Sequence, residues 1–194
     1  GLPLAVQYRE TDFNFAVPFG AMAEIRGVRV ECQSPLCTAE RAPAPAPGST
    51  LTRTMTAPVA CEVSLDGGAT HHHASGSAGL TFEFTDQDTD AGGWTLVASE
   101  VLQFDVLLTS SGLPGGVLIR ESPTRASLGR TSFLSSGAAH RIDSFFDIFT
   151  ELSVDGGATW TPACKPLRLQ ALPAGGPGVR QASAGGIVAG SFTG

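Results

Sequence analysis

The sequence predicts an all-β protein: an antiparallel β-sandwich, jelly-roll-like, built with tight hairpins and Gly/Pro-rich loops in a single domain spanning residues 1–194. Three observations carry that prediction. One motif occurs twice, as Ser64-Leu65-Asp66-Gly67-Gly68-Ala69-Thr70 and as Ser153-Val154-Asp155-Gly156-Gly157-Ala158-Thr159, the second copy followed by Trp160. In both, alternating apolar residues run into an Asp-Gly pair that supplies the positive φ of a tight turn, and the carboxylate can accept hydrogen bonds from the turn's own amides. Apolar residues elsewhere alternate with period two between clusters of turn formers. Finally, 24 Gly, 13 Pro and only 15% charged residues suit short strands joined by many turns. An all-β chain of 194 residues commonly forms one domain with a sizeable core.

Taken in order, the elements begin with an N-terminal segment (1–20) in which Leu2, Leu4, Val6, Phe13, Phe15, Val17 and Phe19 include several at strand alternation. Ala23 and Ile25, then Val28 and Val30, alternate with polar partners, and Gly27 between them reads as a β-bulge. Ala42 to Pro47 alternates Ala and Pro, an extended connector that crosses the end of the sandwich. Leu80, Phe82 and Phe84 lead to an acidic turn, and Leu102, Phe104, Val106 and Leu108 alternate against Gln103 and Asp105. Ile142, Phe145, Phe146, Phe149 and Leu152 fit one face of a helix. Because the segment runs straight into the second Asp-Gly turn, a strand with Phe146, Ile148, Leu152 and Val154 inward fits better. Pro173 to Gly178 is again Gly/Pro-rich, before a strand-like piece around Ile187 and Val188. The C-terminal segment (173–194) is expected to be held by the domain's own sheet edge or by a neighbouring subunit.

Four cysteines point to an oxidising compartment. Three pairings are open, with Cys32–Cys37, closing a local loop, and Cys61–Cys164, tying the two similar hairpins together, favoured. A four-Cys zinc site is the rival, although the C-x-x-C pairs typical of structural zinc are missing. A formal charge of −6 argues against a nucleic-acid partner, and no apolar run approaches the ~20 residues of a membrane span. With no signal peptide at Gly1, a mature, processed chain is expected.

Two constellations are candidates for metal chemistry. Asp86, Asp88 and Asp90 place three carboxylates at alternate positions in a turn, as oxygen-rich calcium loops do, which makes calcium the candidate cofactor. Ala91 stands where an EF-hand has its Gly and Val97 where its bidentate Glu belongs. His71 and His73 share a strand face, so two imidazoles could meet a metal, with His140 or an acid needed to complete the set. Catalytic signatures are missing: there is no G-x-S-x-G elbow, H-E-x-x-H helix, P-loop or dinucleotide fingerprint, and no catalytic residue is assigned.

The repeated Ser-x-Asp-x-Gly-x-Thr, with Trp160 after the second, resembles the Asp-box hairpin of sialidases and related β-proteins, whose role is mainly architectural. Two hairpins in 194 residues are too few for a six-bladed sialidase propeller. A second resemblance rests on Val117 to Thr124, Ser127 to Thr131, His140 to Ser153 and Asp155 to Trp160, which together are similar to secreted bacterial proteins sorted by a PEP-CTERM tail. That resemblance implies export and surface association, and no assigned activity. The expected function is a non-enzymatic extracellular structural subunit, forming a bacterial surface layer, matrix or filament through strand contacts with copies of itself. The alternative is a secreted glycan- or ligand-binding β-module, calcium-dependent through the acidic turn.

Overall fold

A computed structural model describes residues 6–10, 17–32, 48–136, 139–173 and 190–193. Thirteen strands lie among them: β1 Val6–Glu10, β2 Val17–Phe19, β3 Ala23–Cys32, β4 Leu51–Ser64, β5 His72–Thr89, β6 Thr95–Ser110, β7 Leu113–Glu121, β8 Ser127–Ser136, β9 Ala139–Ile148, β10 Thr150–Ser153, β11 Thr161–Pro162, β12 Leu167–Pro173 and β13 Gly190–Thr193. The described residues contain no helix, and every pairing is antiparallel. The all-β antiparallel reading therefore holds.

The sheet curls until it meets itself. β6 pairs with β5, β5 with β4, β4 with β3, β3 with β1, β1 with β12, β12 with β9, β9 with β8, and β8 returns to β6. A second branch of β7, β10 and β11 leaves the other half of β6 and reaches β2 through a bridge from Ala163 to Phe19. The result is a barrel-like sandwich in which hairpins join β3 through β7 in series, β8 to β9 and β10 to β11, while the β7–β8, β9–β10 and β11–β12 connections cross between strands that do not pair with each other. Closure pairs the backbone groups that an open sheet would leave at its edges.

Inward and outward positions follow from the pleat. Ala57, Val59, Cys61 and Val63 of β4 face Ala74, Ala78 and Leu80 of β5, and the core continues through Phe104, Val106 and Leu108, Val117 and Ile119, Phe146 and Ile148, and Leu167 and Leu169. Two of the sheet's register shifts reset the alternation where it bears on the core. Between Arg26 and Arg29 the register with β4 shifts, and Gly27, at φ +62°, occupies the left-handed conformation that such a bulge requires. Ile25 and Val28 both point inward as a consequence. The second bulge, where Thr81 and Phe82 of β5 face Gln103 and Val101, leaves Leu102 as the extra residue. Leu102 is thereby turned out of the core, against its place in the apolar alternation, and is 45% exposed, whereas Phe104, Val106 and Leu108 are buried. Val154 is a similar correction: it has already left β10 for the turn and is 54% exposed, while Phe146, Ile148 and Leu152 are buried as expected.

The two halves of the chain repeat one another. The spacing that carries Ser64 to Ser153 also carries Val17 to Val106, Phe19 to Leu108, Val59 to Ile148, Val63 to Leu152, Ala74 to Ala163 and Leu80 to Leu169, and both members of each pair are buried. Between β3 and β7 the step lengthens to 94: Ile25 pairs with Val17 and Val63 as Ile119 pairs with Val106 and Leu152.

The described strand residues at both ends pair within this chain. β1 lies between β3 and β12, and β13 pairs with β9. β1 therefore has partners on both edges within the chain. Ala42–Pro47 and the residues following Pro173 up to Ala189 lie outside the described residues.

Candidate functional site

Antiparallel neighbours put alternate connections at opposite ends of the barrel. The β2–β3, β4–β5, β6–β7 and β10–β11 turns share one end, so both Asp-Gly hairpins belong to it. Contacts between turns confirm the grouping: Gly67 N donates to Met22 O at 2.7 Å, and a Cβ on Gly112 would run into the ring of His72.

The hairpins are superposable in their bonding. In the first, Ser64 Oγ donates to Asp66 Oδ1 at 2.7 Å and accepts from Gly68 N at 2.9 Å, while Thr70 N donates to Asp66 Oδ1 at 2.9 Å and Thr70 Oγ1 donates to Oδ2. In the second, Ser153 Oγ donates to Asp155 Oδ1 at 2.7 Å and accepts from Gly157 N at 2.9 Å, while Thr159 N and Oγ1 donate to Asp155 at 2.9 and 2.6 Å. Gly67, Gly68, Gly156 and Gly157 all have positive φ, between 70° and 92°. Hydrogen bonds to the charged form, first of all from the threonine hydroxyl, hold the Asp155 carboxyl down to about 2 and that of Asp66 lower still. Every atom of these carboxylates is used to close its own turn, so their role is architectural. Trp160 packs beside its hairpin as expected, its Nε1 donating to Gly157 O at 3.0 Å.

Outside each hairpin stands an equivalent ion pair. Arg26 Nε donates to Glu62 Oε2 at 2.6 Å across β3 and β4, and Arg120 Nε and Nη2 donate to Glu151 Oε2 at 2.9 and 2.7 Å across β7 and β10. The Arg26 hydrogen bond is the main reason the Glu62 carboxyl lies below its usual range. Arg120 also stacks 4.0 Å over the Trp160 ring. Sequence reading missed these pairs, yet the signal was there: Glu62 and Glu151 each precede the repeated Ser by two residues.

The candidate metal ligands do not converge. His71 Nε2 lies 2.8 Å from Glu24 Oε1, whereas His73 Nδ1 lies 3.6 Å from Glu62 Oε1, so each imidazole addresses a different carboxylate on a different strand. In the acidic turn, Asp90 Oδ1 accepts from Gly92 N at 2.8 Å and Trp94 N at 3.0 Å, and Asp88 Oδ1 accepts from Thr89 N at 2.8 Å. Both carboxylates thus serve local amides. The side chains of Asp86 and His140 lie outside the described residues. Among the described residues, no group of three His, Cys, Asp or Glu is placed to hold a metal ion.

Nor is the Cys61–Cys164 disulfide formed. Cys61 points into the core from β4, while Cys164 is exposed beyond β11. One thiol is buried in the core and the other lies at the surface, which is the physical reason for the correction. Cys37 and the side chain of Cys32 lie outside the described residues.

At the opposite end of the barrel several inward positions keep contact with solvent. Arg53 and Phe82 are directly opposed across β4 and β5, as are Leu51 and Phe84, so all four face inward. The hydroxyls of Thr54 and Thr81, 3.1 Å apart, confirm that the alternate positions face outward. Phe82 lies 6.2 Å from Phe84 and 5.0 Å from the buried Phe146, centroid to centroid. Leu51, Phe82 and Phe84 nevertheless remain partly exposed, and Arg53 is exposed. Ser99, opposite Phe84 on β6, is buried, and its Oγ has no hydrogen-bond partner.

Comparison of the chain with protein-family models, with curated proteins and with solved structures finds no match in any of the three.

Proposed function

We propose that the protein is a non-enzymatic extracellular structural subunit whose copies build a surface layer, matrix or filament. The observation that carries this reading is the attachment of β13. It is separated from β12 by residues 174–189 and pairs with β9 over Ala139–Ile142, beyond the stretch Phe145–Ile148 that β12 occupies. A four-residue ladder of this kind depends on main-chain hydrogen bonds, and the same strand from a second copy can make it equally well. Turn-locking carboxylates and a closed wall give the rigid body such a subunit needs, and the similarity to PEP-CTERM-sorted proteins supports an exported location.

A cysteine pair at His140 and Phe192, partners in the β9–β13 register, tests the proposal. Oxidation followed by non-reducing electrophoresis should give dimers and a ladder of larger species that the single-cysteine variants do not give. A cross-linked monomer alone, together with a native protein that remains monomeric at high concentration by light scattering, would sink it. The competing reading, a secreted glycan- or ligand-binding module, draws its support from the partly exposed aromatic side chains at the end of the barrel opposite the Asp-Gly hairpins.

A further inference from the structure

We propose that this end of the barrel is a binding mouth for a small carboxylate-bearing apolar molecule, its body against Phe82 and Phe84 and its carboxylate on Arg53. The inference is independent of assembly through β13.

Three observations converge on it. First, the inward faces of β4 and β5 present Leu51, Phe82 and Phe84 that are still partly open to solvent, although inward side chains toward the Asp-Gly end, such as Ala57, Val59, Val63, Ala74 and Ala78, are buried. Aromatic rings at the mouth of a barrel are what an apolar ligand covers. Second, an arginine occupies an inward position among them. Arg53 is directly opposite Phe82, is exposed, and has no ion-pair partner among the described residues. Arg26, Arg120, Arg125 and Arg168, by contrast, each face a carboxylate, an aromatic ring or both. A guanidinium beside apolar walls selects a carboxylate through charge-assisted hydrogen bonds.

Third, the lining contains polar groups in an otherwise apolar setting. Ser99, 4% exposed, has a hydroxyl without a partner, and it lies between Phe84 of β5 and Gly129 of β8 in the cross-strand register. Burying a hydroxyl unsatisfied is unfavourable, and native structures keep few such groups. Thr131 Oγ1 and Ser144 Oγ, 2.9 Å apart and both buried, continue the polar row on β8 and β9. An apolar inward face with a few hydroxyls among it and one cation at its rim is the chemistry that suits an amphiphilic anion.

The test uses 4-phenylbutyrate and its neutral analogue 4-phenylbutanol as probes of the full chain, followed by amide chemical shifts and by calorimetry. Saturable one-to-one binding is expected, with shifts centred on Phe82, Phe84 and Ser99, and with the carboxylate bound roughly tenfold more tightly than the alcohol. Arg53→Gln, an exposed substitution, should remove that preference while leaving the alcohol's affinity unchanged. Phe84→Ala should weaken both probes, with near-UV circular dichroism reporting whether the fold is kept. Absence of saturable binding for both probes, shifts centred elsewhere on the barrel, or a carboxylate preference that survives Arg53→Gln would each overturn the proposal.

Discussion

Two glycines in neighbouring parts of the barrel should respond in opposite directions to the same added methyl group. Gly129 lies on β8 opposite Phe146, whose ring fills the space a side chain would take. A Cβ built there meets Phe146 Cδ1, with Phe145 O at 2.5 Å and Phe146 Cε1 at 2.9 Å. Rotating the ring cannot relieve the contact with Phe145 O, because that atom belongs to the backbone of β9. Strand β8 or β9 has to move, and overpacking of this kind costs about 1–3 kcal/mol. Gly79 on β5 is the control. Its Cβ would find nothing nearer than Gln103 Nε2 at 3.7 Å and Asp105 O at 4.0 Å, and its φ lies outside the left-handed region. There the lost freedom of the unfolded chain dominates, so Gly79→Ala should stabilise by about 0.4–1 kcal/mol.

Urea unfolding followed by the fluorescence of Trp94 and Trp160 measures both, provided the m-values agree with the parent. At this chain length each kcal/mol corresponds to roughly 2–4 °C in Tm, so the two variants should straddle the parent by a readable interval. Phe146→Leu in the Gly129→Ala background supplies a double-mutant cycle. The coupling should be favourable and on the order of 1 kcal/mol, since the smaller side chain frees part of the space. Equal stability of Gly129→Ala and Gly79→Ala, or additivity in the cycle, would refute the claim that the Phe146 ring and the β9 backbone occupy the glycine's side-chain volume.

Further outcomes follow from the carboxyl groups and thiols. Asp66 and Asp155 have folded pKa values below 3.8, so the stability they contribute is present above about pH 4 and is lost as the pH falls toward 2. Acid titration of thermal stability should show that loss, and a variant carrying both Asp66→Asn and Asp155→Asn should show a shallower one. Burial raises the Glu121 carboxyl above 4.5, although Ser127 Oγ donates to it at 2.9 Å. Its charge therefore opposes folding at neutral pH, and Glu121→Gln should be more stable than the parent at pH 7, with the difference vanishing below pH 4.5. Native alkylation with mass spectrometry should label Cys164 quickly and Cys61 only on unfolding, whereas a Cys61–Cys164 linkage in non-reduced digests would contradict the placement of the two thiols.

What the sequence could disclose depended on whether the relevant physics was local. The Asp-Gly turns were legible in detail because every bond that makes them lies within seven residues, and the Gly27 bulge was legible because only glycine is comfortable at φ +62°. The outward turn of Leu102 was not. Its bulge follows from the register of β6 against β5, a long-range property that no window around Leu102 contains. The same distinction explains the candidate ligands. His71 and His73 sit on one stretch of chain, but Glu24 and Glu62 arrive from β3 and β4 and draw the imidazoles toward separate partners. Asp90 looked like a calcium ligand because turns that bind cations and turns that bind their own amides use the same residues. Which it does is decided by where neighbouring N–H groups point.

The most informative feature that local reading passed over is the repetition of the whole half-chain. A duplicated motif of Ser, Asp, Gly and Thr can arise wherever two hairpins need the same turn. A duplicated motif that brings with it the same inward positions at the same spacing, from Val17 and Val106 to Leu80 and Leu169, is a different matter, because core positions are set by packing and not by turn chemistry. The ion pairs Arg26–Glu62 and Arg120–Glu151 extend the correspondence to the outer face, the glutamates at that same spacing and the arginines at the longer step that separates β3 from β7. Departures within so regular a frame then acquire meaning. Where one half carries His71 beside Glu24, the other carries Trp160 beneath Arg120, and where Ala57 packs in the first half, Phe146 fills the second and reaches Phe82. The repeat fixes the barrel, so the positions at which its halves disagree, together with the end where inward side chains remain open to solvent, are where a function beyond the fold has room to reside.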